Sequence, residues 1–337
     1  MGKDSMVNMV KIARKVLPGH SRAIQGFFLL VFLLVLMGPT FLSGYWVRLL
    51  ANVFMFAVLT QGVNIIAGYC GYLSLGNIVF FGLGSYITAV LMTKFTFPFS
   101  AAFLASGVGA VLFSVVVGLP ILRLKGQYFL MATLALSELM REITSSLDIT
   151  GGGRGITLPM FAGGPAMINN FFYYFMLGLL VTCTFCIWWI DRSHLGLAFK
   201  AIKFDEDAAS VMGVNPPPYK TISWAISALF TGFAGSGFAY WMGYIDPGVV
   251  YEITPSIKIY LMMVLGGAGT VWGPLAGAFF IELISEFAWS KFLEYHLLIV
   301  GSILILTVLF TPKGLMDLVG KKITLSLLTK GIRENRI

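Results

Sequence analysis

The sequence predicts an all-α fold: a polytopic membrane bundle of about ten transmembrane helices with both termini on the cytoplasmic side. Three observations predict it. Apolar blocks roughly 15–22 residues long recur along the chain, each long enough to cross a hydrocarbon core about 30 Å thick. Of the 337 residues, 58% are hydrophobic and only 11% are charged, where a soluble domain has about 25% charged. A soluble fold could not cover itself with so little polar surface, whereas lipid-facing helices are apolar outside. Finally, the basic residues gather at block ends, where they set topology.

The predicted spans are residues 24–41, 46–66, 78–92, 101–122, 127–146, 171–190, 221–242, 257–271, 273–289 and 296–310. Before the first lie Lys3, Lys11, Arg14, Lys15 and Arg22 with a single acid, Asp4, which puts tail 1–23 in the cytoplasm. The first block ends in MGPTFLSGY without a small-x-small cleavage pattern, so it reads as a retained span and not a signal peptide. Arg123 and Lys125 follow the fourth span, and Arg192, Lys200, Lys203 and Lys220 follow the sixth. Lys313, Lys321, Lys322, Lys330, Arg333 and Arg336 fill tail 311–337. Ten crossings place all of these inside, and an odd number leaves one basic tail outside. The chain therefore divides into tail 1–23, a membrane domain 24–310 that carries an inner loop 191–220, and tail 311–337.

Several function classes drop out. The net charge is +8, but no basic–aromatic stripe lies outside the apolar blocks, so nucleic acid is not a partner. Cys183 and Cys186 have C-x-x-C spacing but sit inside an apolar block with nothing to lower a thiol pKa, so they pack. His20, His194 and His296 are scattered and make no metal site. No phosphate-binding GxxxxGK[ST], HExxH or catalytic GxSxG motif occurs, so no catalytic residues are assigned and the chain has no nucleotide site of that kind.

Glycine is abundant, with 38 residues, as close helix approach in membranes requires. Two glycine-dense segments interrupt the apolar pattern: AGYCGYLSLGN at 67–77 and GGAGTVWGP at 266–274. Backbone groups freed by a broken helix cannot face lipid, and paired breaks in two halves of a transporter point toward its path. Tight helix packing of the GxxxG kind accounts for the same glycines, and both readings stand. Gly71, Ser74, Gly76 and Asn77 in the first segment, with Gly266, Gly267, Gly269 and Trp272 in the second, are the path candidates. Glu138 and Arg141 join them. With Glu142 they put three charges into the fifth span, about 8–10 kcal/mol if all faced lipid at mid-depth. Glu138 and Arg141 share a helix face at i,i+3, so they either line a polar path or neutralise each other, and self-neutralisation is favoured. Glu282 and Glu286 share a face of the ninth span, have no evident local partner, and should face the bundle or an interface. The outer loops, 147–169 and 243–256, are punctuated by Gly and Pro and should be ordered turns that contact a partner.

Loop 191–220 is the one long polar interruption. Residues 198–212 suit a short amphipathic helix, Gly213 suits a left-handed cap, and Pro216, Pro217 and Pro218 forbid continuation. Asp205, Glu206 and Asp207 would meet a soluble subunit or its basic rim, and Ala208 and Ala209 would let that surface approach. Three consecutive acids disfavour an anionic membrane surface as the alternative contact.

The DAAxxxG run of 207–213 resembles the EAAxxxG coupling loop of ABC importer permeases, with Asp207 in place of Glu. GYLSLGNIVFFGLGSY (71–86), LKGQYFLMATLA (124–135), TGGGRGI (150–156) and LGLAFKAIK (195–203) resemble motifs of the branched-chain amino-acid permease family, LivM-type. GYIDP (243–247), MVLGGAGTVWGPLAGA (263–278) and FTPKGL (310–315) do so too, in order. The resemblance implies a permease subunit in the bacterial cytoplasmic (inner) membrane, paired with a second homologous permease. Two cytoplasmic ATPases would hold the ATP and Mg, with no cofactor in this chain, and an extracytoplasmic binding protein would deliver substrate. Branched-chain or related amino acids would then cross by alternating access. Urea and short amides are carried by one branch of the family. An ion-gradient-driven transporter with Glu138 as the coupled group, an intramembrane enzyme and a structural scaffold are the competing readings. The coupling loop argues against a scaffold, and the lack of clustered polar residues elsewhere argues against an enzyme.

Overall fold

A computed structural model describes residues 36–159, 161, 163–291 and 301–302. Among the described residues, those up to Leu49 and those from Leu50 onward fall into two compact units. The first contains the short helical turn Gly38–Phe41, where the Thr40 hydroxyl donates to Met37 O at 2.7 Å.

The helices follow the apolar blocks. They are α1 (Gly44–Val63), α2 (Asn77–Thr93), α3 (Phe99–Ile121), α4 (Gln127–Ser146), α5 (Pro165–Asp191), α6 (His194–Phe204), α7 (Glu206–Val211), α8 (Pro216–Met242), α9 (Ile253–Gly266) and α10 (Gly273–Lys291). Among these, α1 with its π-helical continuation, α3, α5, α8 and the stretch Pro247–Gly266 are long and apolar enough to cross a membrane. The second to ninth predicted spans coincide with α1–α5 and α8–α10. Span 24–41 is described only from residue 36 on, span 296–310 only at residues 301–302, and tails 1–23 and 311–337 lie outside the described residues.

Small residues make the core. On α2 and α8, a Cβ on Gly84 would fall 2.2 Å from Gly232 O, and one on Gly235 would fall 2.1 Å from Phe81 O. The backbones touch there, and two hydroxyl bonds fix the register: Ser85 Oγ donates to Gly235 O at 2.9 Å, and Thr88 Oγ1 to Ser236 Oγ at 2.7 Å. Close backbone approach with buried hydroxyl bonds is how helices associate where lipid removes the hydrophobic drive. α3 closes over α8 through stacked Phe103 and Phe233 rings, 4.2 Å apart. Trp224 lies fully buried between Phe80 and Phe129.

The two ends of the bundle differ. At one end Phe99, Phe161, Phe171, Phe172 and Tyr240 form an aromatic cluster, as suits an interfacial belt. Strand β1 (Ile156–Thr157) pairs there with β2 (Tyr244–Ile245), antiparallel, with Ile156 opposite Ile245. The two long loops predicted as separate ordered turns are thus one ribbon. Gly155 (φ +74°) makes it possible, because a Cβ would fall 2.2 Å from Ile245 O. The opposite end holds the breaks at 64–77 and 267–272, the α3–α4 turn and the 191–220 loop.

Candidate functional site

The 191–220 loop is two helices where the sequence reads as one. Asp205 leaves helical space (φ −160°, ψ 115°), and its carboxylate accepts from the amides of Asp207 and Ala208, both at 2.9 Å. An aspartate is a strong N-cap, and capping α7 here outcompetes continuing α6. Asp205 therefore caps α7 at a non-helical joint between the two helices, and it stays exposed. Gly213 closes α7 at φ +91°, and the Val214 amide donates to Ala209 O at 3.0 Å, the left-handed cap that the sequence predicts. Pro216–Pro218 do more than stop the loop: they begin α8, where a missing amide leaves nothing unpaired.

Glu206 also departs from its expected outward role. Its carboxylate turns inward, accepting from Lys220 Nζ at 2.8 Å and from the Tyr72 hydroxyl, while Lys220 also donates to Tyr72 Oη at 3.0 Å. The Lys220 side chain is 3% exposed and that of Glu206 18%, so this pair is largely out of water. Burial raises the Glu206 pKa, but the bonds from Lys220 and Tyr72 outweigh it and hold the carboxyl below the usual range. Ala209 is buried against its own chain, and Ala208 is exposed. Asp207 remains outside, paired with Lys125 of the α3–α4 turn at 2.9 Å. Three large apolar side chains of the loop are also exposed: Phe204 is 94% exposed, Val211 90% and Met212 84%.

Under this loop the two glycine-dense segments meet. α1 does not end at Val63 but runs into a π-helical turn, Asn64–Tyr69. The eighth predicted span also shifts its boundary. Span 257–271 stops at Gly266, because Gly267 (φ +118°) and Gly269 (φ +82°) leave the helical region and residues 267–272 form a loop. A Cβ on Gly266 would fall 1.9 Å from Gly273 O, so the loop is pinched shut. Side chains of α1 and the π-turn satisfy the polar groups that this break frees. Asn64 Oδ1 accepts from Gly269 N at 2.8 Å, Asn64 Nδ2 donates to Thr270 O at 2.9 Å, and Gln61 Nε2 donates to Val271 O at 2.7 Å. Lys203, from α6, donates to Gly68 O at 2.6 Å. Gly71 (φ +82°) lies against the Lys203 stem, where a Cβ would come 2.9 Å from Cγ. Gly76 packs on Thr133 of α4, with a Cβ 2.9 Å from Thr133 O. Trp272 stands partly exposed at the loop.

Ser74 and Asn77 border a small cavity of ≈ 10 Å³ whose surface is mostly apolar, with Leu59, Val63, Phe81 and Ile259 in its wall beside Thr231 and Tyr260. Asn77 Nδ2 donates to Ser227 Oγ at 2.7 Å, and Tyr260 holds both the amide and carbonyl of Ser74. Glu138 and Arg141 lie apart from this junction. They bond each other at 2.8 Å, Arg141 reaches Glu142 at 3.3 Å, and all three are substantially exposed on α4. Glu282, for which the sequence shows no partner, is buried with Lys258 Nζ at 2.6 Å and Asn52 Nδ2 at 2.8 Å. Lys258 is charged, but it is distant in sequence, and only the fold brings the two together.

Packed apolar helices, five of them among the described residues long and apolar enough to cross a membrane, with two broken segments held by side-chain amides, are the features of a polytopic membrane protein. A profile described as "Branched-chain amino acid transport system / permease component" matches residues 45–308. The chain belongs to that family. It is similar to the high-affinity branched-chain amino acid transport system permease protein LivM of Escherichia coli K12, 28% identical across 87% of this chain and 75% of the relative. The Salmonella typhimurium LivM is 29% identical over the same shares. The E. coli permease protein LivH is 22% identical across 77% of this chain and 91% of the relative. No solved structure matches.

Proposed function

We propose that this chain is the LivM-type permease subunit of an ABC importer in the bacterial inner membrane. It carries branched-chain or related amino acids by alternating access. Two partner ATPases bind the ATP and Mg and drive it, a second homologous permease completes the path, and an extracytoplasmic binding protein supplies substrate. One observation carries the reading. The α6–α7 loop exposes Phe204, Val211 and Met212 within nine residues, together with Asp207, while its other side chains Lys203 and Glu206 bond directly to a broken helix. A solvated loop has no reason to expose three large apolar side chains together; a docking surface does.

Glu138 and Arg141 fit a surface turned toward the second permease or the path. Three partly exposed charges on one membrane helix avoid a lipid cost of about 8–10 kcal/mol only if protein or water covers them. The path candidates Ser74, Asn77, Gly71, Gly76, Gly266, Gly267, Gly269 and Trp272 are proposed to move during transport.

The test is uptake by proteoliposomes holding both permeases, the ATPases and the binding protein. The expected result is leucine, isoleucine or valine uptake that requires ATP and is abolished by omitting the ATPases. Gradient-driven uptake by the isolated chain would instead identify an ion-coupled transporter. ATP-driven uptake of urea or short amides in place of amino acids would keep the class and change the cargo.

A further inference from the structure

The loop holds the first helix break at two places, one from each side of its own joint at Asp205. Upstream of Asp205, Lys203 Nζ donates to Gly68 O at 2.6 Å at the end of the π-turn. Downstream, Glu206 accepts from Tyr72, just past Gly71. Between these two holds lies the only stretch of the segment with left-handed backbone, at Gly71 (φ +82°). Asp205 is extended, so α6 and α7 meet at a non-helical joint and can change their mutual angle without unwinding either.

Gly68 is also where the second break is attached. Its backbone lies against Gly269: a Cβ on Gly68 would fall 2.7 Å from Gly269 N, and one on Gly269 would fall 2.8 Å from Gly68 O. Asn64, at the start of the same π-turn, holds Gly269 N and Thr270 O. A shift at Gly68 therefore has to be passed on to 267–272 or break these bonds, because the contact has no slack.

We infer that Lys203 and Tyr72 are positioning residues through which bending of the loop at Asp205 winds or unwinds residues 68–72, and thereby shifts the paired break at 267–272. The inference rests on the proposed reading that a partner ATPase moves this loop. A π-turn is suited to the role, since its extra residue can be released into or taken up from the regular helix, and such turns recur at functional sites. The competing route is covalent: the loop would move α8 directly through Pro216–Pro218, and the bonds to the broken segment would only hold the resting form together.

The two routes are separated by the number of substrate molecules taken up per ATP hydrolysed, measured in the complete reconstituted complex. Lys203→Met keeps the stem that packs on Gly71 and removes the donor. Tyr72→Phe keeps the ring that packs edge-on against Phe129 and removes the hydroxyl. The expected result is ATP hydrolysis near the wild-type rate with uptake per ATP reduced at least about 5-fold in Lys203→Met, a smaller reduction in Tyr72→Phe, and recovery in Lys203→Arg, which retains a donor. A ratio unchanged from wild type in both assembled variants would overturn the inference and favour the α8 route. Should Lys203→Met fail to assemble, Tyr72→Phe alone decides. If the wild-type complex itself shows no ATP-driven uptake, the proposed function fails, an outcome distinct from either variant result.

Discussion

Glu206→Ala is expected to destabilise the protein by about 3 kcal/mol and lower the thermal midpoint of the purified complex. The residue lost is one half of a largely buried pair. Lys220 remains, 3% exposed, with Tyr72 as a neutral partner and no carboxylate. Breaking a buried pair from one side costs about 3–5 kcal/mol because it strands a charge, and the partial exposure of Glu206 puts this case at the low end. The double variant Glu206→Gln, Lys220→Met removes both charges and should recover most of the loss; no recovery would mean that Glu206 stabilises by packing. The pH dependence has a fixed sign. The folded carboxyl is held below its ordinary pKa, so its stabilisation is fully present above the unfolded value of about 4.3. It is lost as pH falls through the lower folded value. A wild-type midpoint that already falls between pH 7 and pH 5 on account of this residue, absent in the double variant, would contradict that assignment.

Gly68→Ala should abolish uptake while leaving the chain inserted. The added methyl would sit 2.0 Å from Asn64 Oδ1 and 2.7 Å from Gly269 N, the two ends of one hydrogen bond. Either Asn64 swings away, leaving buried polar groups unpaired at about 1–3 kcal/mol, or the two breaks separate against overpacking of about 1–3 kcal/mol. Gly178→Ala on α5 is the control. Nothing lies within 4 Å of its Cβ, and uptake and stability should stay within about 0.5 kcal/mol of wild type. Full uptake by Gly68→Ala would show that the contact between the breaks has no part in transport.

The helices were legible because their signal is local. Residues 127–146 are bounded by the turn at Gly126 and by the polar loop after Ser146, and α4 occupies those same residues. The glycine segments were legible as breaks, since no other residue type tolerates the φ of Gly71, Gly267 and Gly269 without strain. What the sequence withheld were relations between distant positions. Nothing near Gly68 announces Lys203, and nothing near Glu282 announces Lys258 or Asn52. The inward turn of Glu206 was hidden for the same reason: a run of three acids reads as an exposed face until Lys220 and Tyr72 are placed beside its second member. Asp205 is the instructive local miss. Its N-cap preference is visible in the sequence, but the apolar periodicity across 198–212 masked it, and the break between α6 and α7 emerged only from the backbone. The β1–β2 ribbon lay beyond pattern analysis, because two-residue strands carry no periodicity.

The α7 surface is proposed to lie on the cytoplasmic side and to be held by an ATPase. Met212→Cys, in a chain with the half-buried Cys186 replaced by Ser, tests it with one label. A membrane-impermeant maleimide should react only from the cytoplasmic face, and a short bifunctional crosslinker should join position 212 to an ATPase subunit in the assembled complex. Labelling from the outer face, or an assembled complex in which position 212 never joins an ATPase, would contradict the account.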